Sequence, residues 1–149
     1  MENVIIKKAS KNDIPVILDL LYELGRPRPQ NNSEVKRFES KIIKYLYDTD
    51  KQIIVAKLEG NVIGIVCIMF LSRLNRKPPE MYIPELVIAK KHQGKGIGKK
   101  IIEYCVIFAT KKKCHRIRLE SGNQRTDSHK FYRKIGFEQS SLSFTKNIS

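Results

Sequence analysis

The densest chemistry in the chain lies between Leu86 and Lys100. There an apolar run ends in Gln93-Gly94-Lys95-Gly96-Ile97-Gly98, and an apolar-periodic helix follows. The order is strand, short loop, glycine turn, helix. The first N–H groups of a helix have no partner within it and carry the positive end of its dipole. Glycines let an anion approach the backbone without a Cβ in the way and supply the positive φ that a nest of N–H groups needs. Lys95, Lys99 and Lys100 add charge at the same place. The chemistry on offer is phosphate binding.

Two common phosphate motifs fail here. A P-loop needs GxxxxGK followed by Ser or Thr, and Gly98 is followed by Lys99-Lys100. A dinucleotide fingerprint needs GxGxxG. Starting at Gly94 or Gly96 puts Lys99 or Ile101 where its last glycine belongs. What fits is Q/R-x-x-G-x-G, as Gln93-x-x-Gly96-x-Gly98, directly after a strand. A second pattern lies downstream: Phe131-Tyr132-Arg133-Lys134-Ile135-Gly136-Phe137, an F-Y-x-x-x-G-F run on a short helix.

The two patterns, in this order and separated by a helix and a strand, resemble the signatures of the GNAT superfamily of N-acetyltransferases. The chain is similar to its small single-domain members of bacterial or archaeal type. The resemblance covers roughly residues 80 to 140; the first 80 residues agree in element order only. It implies a single domain over residues 1–149 that uses acetyl-coenzyme A to acetylate a primary amine of a small molecule or protein. No His, Cys, Asp or Glu cluster has metal-ligand spacing, so no metal is expected. In the GNAT reading the pantetheine arm pairs with backbone groups of Leu86, Val87 and Ile88. The pyrophosphate sits on Gln93, Gly94, Lys95, Gly96, Ile97, Gly98 and Lys99. Tyr132 protonates or hydrogen-bonds the leaving sulfur. Glu85 and Glu120, each at a strand end, are candidate carboxylates for relaying the amine's proton. Many members carry Asn seven residues before the tyrosine; Arg125 stands there here, open to binding the cofactor's phosphates, binding an acceptor carboxylate or capping the following helix, and Asn123 is the candidate for the missing amide contact with the cofactor. The role of His129 is open. Dimers are common in the family.

The elements that must position these residues follow from periodicity. Asn3 to Lys8 predicts a strand. A helix runs from Ser10 to Gly25, with Ile14, Ile17, Leu18 and Leu21 on one face, and a second begins at Ser33. Gln52–Leu58 and Val62–Phe70 read as a hairpin across Glu59-Gly60-Asn61. Ser72 to Glu80 reads as a loop, because of Pro78-Pro79. Met81–Ile88, a helix from Gly96 to about Thr110, a strand Arg116–Glu120, a helix capped by Asp127 or Ser128, and a last strand Phe137–Thr145 complete the chain. The fold class expected is α/β (α+β): a mixed central sheet of about six to seven strands, flanked by about four helices, with two central parallel strands splayed apart.

Charge and composition set the remaining bounds. The formal net charge is +14. Residues 90 to 118 hold ten Lys and Arg against one acidic residue, Glu103. Such a field attracts a polyanion, with the cofactor as the first candidate. Nucleic acid is the weaker reading, since no helix-turn-helix, RRM or zinc pattern is present and few aromatics lie among the basic residues. A third alternative is a fold that binds coenzyme A without turnover. The loops at Gly25–Asn32 and Ser72–Glu80 carry Arg26, Arg28, Arg73, Arg76 and Lys77. That rim should favour an amine that also bears a carboxylate or phosphate. No apolar run approaches the ~20 residues of a membrane span. Met1 to Val4 shows no leader pattern. The three cysteines, Cys67, Cys105 and Cys114, form no CxxC pair. Reduced thiols and a cytoplasmic location are therefore expected.

Overall fold

The computed structural model describes residues 3–149. The absence of a leader pattern was read partly from Met1 and Glu2, which lie outside them. Residues up to Arg118 form one compact unit and Leu119–Ser149 a second.

The described residues contain a sheet of order β1-β2-β3-β4-β5, with strands Val4–Lys8, Lys51–Leu58, Asn61–Arg73, Arg76–Ile88 and Ile117–Leu119, all in the first unit except Leu119 at the end of β5. The first three neighbour pairs are antiparallel. The segment leading into β5 lies along β4, with His115 N–H donating to Pro79 O and Met81 N–H donating to Arg116 O. Both partners advance in the same direction, so β5 runs parallel to β4 and the sheet is mixed. β5 has three residues and β4 thirteen. His115 and Arg116 lead directly into β5, so β5 starts beside the Pro79–Met81 part of β4 and, at three residues, does not run its length.

Helices α1 (Ile14–Glu23) and α2 (Asn32–Tyr47) cover one face of this sheet. Ile17, Leu18 and Ile42 pack there on Ile53, Val55, Ile65, Cys67 and Val87. α3 (Ile97–Lys111) covers the other face, burying Ile97, Ile101, Ile102, Cys105 and Ala109. With both faces covered, β2 and β3 read as continuous apolar runs instead of alternating ones.

Local signals set the joints. Asp13 Oδ2 accepts from the Ser10 N–H at 2.8 Å, starting α1 through one turn of 3-10 helix. Asn31 Oδ1 accepts from the Glu34 N–H at 3.0 Å, capping α2. Glu59 and Gly60 both have positive φ, as a two-residue hairpin turn requires.

Two expectations are corrected. Ser72–Glu80 is not a loop: β3 and β4 continue through it and meet in a tight turn, with Arg73 opposite Arg76. The prolines do not stop β4, because they stand where its ladder is already broken. Between the pairs Leu71↔Glu80 and Arg73↔Arg76, the residues Lys77, Pro78 and Pro79 oppose Ser72 alone. Between Cys67↔Glu85 and Met69↔Tyr82, Ile83 and Pro84 oppose Ile68 alone. A residue that cannot donate is tolerated at a bulge. The second correction is the strand count. There are five strands among the described residues, not six or seven, and Phe137–Thr145 forms no strand.

The second unit contains α4 (Thr126–Lys134). Its N-cap is Arg125, not Asp127 or Ser128.

Candidate active site

β4 ends at Ile88, and one turn of 3-10 helix (Lys90–His92) leads to α3. The Gln93 side chain donates from Nε2 to the Ile88 carbonyl at 3.0 Å, folding the loop back on the strand it has just left. Gly94 and Gly96 have φ of +74° and +82°. A Cβ at either would meet nothing within 4 Å. The glycines are thus needed for their dihedral angles, and the space above them is open to a ligand. Gly96 is the N-cap of α3, and the Lys100 N–H is bonded back to its carbonyl at 3.2 Å. By helix geometry the N–H groups of Ile97, Gly98 and Lys99 have no carbonyl one turn earlier. Those amides, with exposed Lys95 and Lys99, form a cradle that fits a phosphate. The Ile97 side chain is buried at 1% exposure, so that residue offers its backbone only.

Upstream, Leu86, Val87 and Ile88 pair with Val66, Ile65 and Gly64 of β3. A Cβ on Gly64 would stand 2.7 Å from Ile88 Cδ1 and 3.3 Å from Ile101 Cδ1. The missing side chain is what lets α3 sit close to β4 just before the glycine turn.

Glu85 follows the Ile83–Pro84 bulge. It is held by Arg26, whose Nη2 donates to Oε2 at 2.6 Å and whose Nε donates to Oε2 at 3.1 Å and Oε1 at 3.2 Å. Arg26 reaches it because α1 ends at a left-handed glycine. Gly25 N–H donates to Tyr22 O and Arg26 N–H to Leu21 O, the two bonds of a Schellman turn. The neighbouring Arg28 stacks on the Tyr22 ring at 4.8 Å. Glu85 is 22% exposed on its side chain, so its charge stays reachable.

In the second unit α4 also ends in a Schellman turn. Gly136, with φ +101°, donates to Arg133 O, and Phe137 N–H donates to Tyr132 O at 2.9 Å. The apolar contact that accompanies such a turn is Phe137 on Tyr132, ring centroids 5.6 Å apart. Phe131 adds a second edge contact at 5.2 Å. This explains the F-Y-x-x-x-G-F run: the glycine and final Phe lock the tyrosine ring. Burial raises the Tyr132 phenol above its ordinary range, against the opposing pull of Arg125, so the group is a protonated acid at neutral pH. His129 Nε2 lies 2.8 Å from the Gly122 carbonyl. A carbonyl can only accept, so that nitrogen carries the proton and the ring serves to hold the loop before α4. Asn123, Arg125 and Glu120 are exposed.

A sequence model of the Acetyltransferase (GNAT) family matches residues 18–137. The chain belongs to this family. An aminoalkylphosphonate N-acetyltransferase of Salmonella typhimurium (strain LT2) is 24% identical over 143 residues, covering 96% of this chain and 90% of the relative. An uncharacterized N-acetyltransferase of Bacillus subtilis (strain 168) is 27% identical over 149 residues, covering 99% and 98%. Among solved structures, an aminoglycoside N-acetyltransferase in complex with CoA shares the fold with a TM-score of 0.84. That match covers 97% of this chain and 94% of that one at 16% identity. This GNAT chain is therefore an N-acetyltransferase that takes its acetyl group from acetyl-coenzyme A and delivers it to an amine.

Sequence reasoning missed one partner in this GNAT chain. Arg26 lies 59 residues from Glu85, and no spacing rule joins a helix-end arginine to a strand carboxylate. The bulge that precedes Glu85 did leave a signal, a proline inside an apolar strand pattern. The basic rim is also redrawn. Arg26 and Arg28 lie at the end of α1, but Arg73, Arg76 and Lys77 lie at the β3–β4 turn. Arg76 and Glu85 stand opposite Arg73 and Cys67, six residues or about 20 Å apart along β3.

Proposed function

We propose that this enzyme acetylates the primary amine of a small acceptor that also carries an acidic group, by direct attack of the amine on the thioester. The observation that carries the reading is the Arg26–Glu85 pair beside the β4 bulge. A zwitterionic acceptor can exchange with it, its acid taking the guanidinium fork and its ammonium the carboxylate. The named Salmonella relative acts on an aminoalkylphosphonate, an amine of this kind.

The roles follow from the chemistry. The first amides of α3 and the lysines beside them hold the pyrophosphate, with Gln93 shaping the turn through Ile88. Leu86 to Ile88 hold the pantetheine arm by backbone bonding, in a gap that the short β5 leaves beside β4. Glu85, released from Arg26 when the acceptor's acid replaces it, takes a proton from the ammonium and so frees the lone pair. The amine nitrogen then forms the new bond to the carbonyl carbon as the carbon–sulfur bond breaks. Tyr132 protonates the leaving thiolate, and the second proton that the nitrogen sheds as it becomes an amide restores the Tyr132 phenol. Glu120, Asn123 and Arg125, on the exposed segment before α4, are secondary candidates for proton relay and cofactor contact. The whole chain is taken as one cytoplasmic transferase domain, and sedimentation of the same preparation decides between monomer and dimer.

The test is an amine panel with acetyl-coenzyme A and thiol detection. Aminoalkylphosphonates and amino acids should turn over faster than spermidine or an aminoglycoside. Arg26→Ala should raise KM for the acidic amines selectively. Preferential turnover of spermidine would overturn the acceptor assignment.

A further inference from the structure

The basic stretch from 90 to 118 is not one surface. Fifteen residues of α3 divide it, about 22 Å of helix. Lys90 to Lys100 surround the glycine turn, while Lys111 to Arg118 lie at the opposite end. Cofactor attraction accounts for the first group and leaves the second unexplained.

At that far end the starts of β4 and β5 and the β3–β4 turn converge on one carboxylate. Glu80 is fully buried. Its Oε2 accepts from Arg116 Nε at 2.7 Å, and its Oε1 from Arg118 Nε at 3.2 Å and Arg73 Nη2 at 3.1 Å. Three guanidiniums on one carboxylate leave two positive charges in excess. Arg116 and Arg118 spend their Nε groups on Glu80, which leaves the paired terminal nitrogens of each for another acceptor. Arg73 and Arg116 are about half exposed, at 51% and 47%.

Two further observations point to a ligand. Arg76 is the direct cross-strand partner of Arg73, a like-charge pairing that costs stability and has no structural return. Beside them, His115 Nε2 is enclosed without a hydrogen-bond partner among the described residues. Burial, with the fields of Arg76 and Arg116, holds the His115 imidazole below its ordinary range. The guanidinium forks of Arg73, Arg116 and Arg118, fixed by Glu80 and joined by exposed Arg76, suit an incoming oxyanion.

We infer that Arg73, Arg76, His115, Arg116 and Arg118 form a second anion site, separate from the cofactor turn, that takes a phosphate-bearing ligand. Buried Glu80 acts as the post that fixes Arg73, Arg116 and Arg118. Planar forks held at fixed positions match phosphate oxygens in pairs, as lysines on flexible stems would not. Glu80 and Ile88 stand opposite Leu71 and Gly64, seven residues or about 23 Å apart along β3, so both sites can be filled at once.

The experiment is calorimetric titration of the full chain saturated with coenzyme A. One arm uses inorganic pyrophosphate and the other a short single-stranded oligonucleotide. Binding is expected to persist at saturating coenzyme A and to weaken with salt. Arg76→Ser, which leaves the Glu80 bonds intact, should weaken it by about tenfold. Arg116→Lys keeps the charge but removes the fork, and should weaken it by several-fold. Coenzyme A titrations of both variants show whether they are folded. Tighter binding of pyrophosphate identifies a small ligand, and tighter oligonucleotide binding with a steeper salt dependence identifies a polymer backbone. No binding of either probe, displacement by coenzyme A, or unchanged affinity in both variants overturns the inference.

Discussion

Replacing Glu80 by Gln removes the one negative charge beneath three arginines while keeping the shape of the side chain. The arginines hold the Glu80 carboxyl down at about 2, against an ordinary 4.5, although burial alone would raise it. A depression of that size corresponds to about 3 kcal/mol. The carboxylate is covered by the guanidiniums themselves, two of them about half exposed. Solvent screening therefore reduces the effect to about 2 kcal/mol. For a chain of 149 residues this lowers Tm by about 4–8 °C. The pH dependence has a fixed sign. A depressed carboxyl contributes its full stability above its unfolded value and loses it as pH falls toward its folded value. The wild type should exceed Glu80→Gln by about 2 kcal/mol at pH 7 and by about 1 kcal/mol at pH 3. Urea unfolding of both proteins at several pH values measures the gap. A gap that is absent at pH 7, or unchanged between pH 7 and pH 3, would refute the assignment of Glu80 as an ionised hub.

Other perturbations test the catalytic half. Gly96→Asp places a carboxylate and a Cβ at a left-handed φ of +82°; coenzyme A affinity measured by calorimetry should fall by more than tenfold, at a stability cost of about 1 kcal/mol. Gly64→Val drives a branched side chain against Ile88 and Ile101; it should cost about 1–3 kcal/mol in urea unfolding and weaken coenzyme A through displaced β4. Tyr132→Phe keeps the ring contacts with Phe131 and Phe137 but removes the acid. It should lower kcat about a hundredfold with little change in the KM for acetyl-coenzyme A. Because burial raises the Tyr132 phenol, the wild-type rate should not fall from loss of that proton until the pH exceeds about 10. An earlier alkaline loss traced to Tyr132 would argue against its role.

Much of this protein is local, and local features are legible in sequence. The helix start at Ser10, the stops at Gly25 and Gly136, and the Glu59-Gly60 turn each depend on a few adjacent residues whose dihedral preferences or side-chain acceptors decide the geometry. The glycine turn is of the same kind: left-handed Gly94 and Gly96 expose the first amides of α3 whatever surrounds them. The second helix, expected to open at Ser33, is capped two residues earlier by Asn31. The family signatures were readable because each is one local device, a phosphate cradle and a locked tyrosine. The course of β4 was not. Pro78-Pro79 predicts a break by local rules, and only the register against β3 shows that the prolines stand at bulges where no donor is missed. The charges were misgrouped for a similar reason. Adjacency in sequence joined Lys90–Lys100 to Lys111–Arg118, while the length of α3 separates them. The pairing of Arg26 with Glu85, and the gathering of Arg73, Arg116 and Arg118 on Glu80, depend on strands and loops that meet across 59, 7, 36 and 38 residues. Sequence determines which side chains can carry charge or a proton. Chain closure over those separations decides which of them face one another.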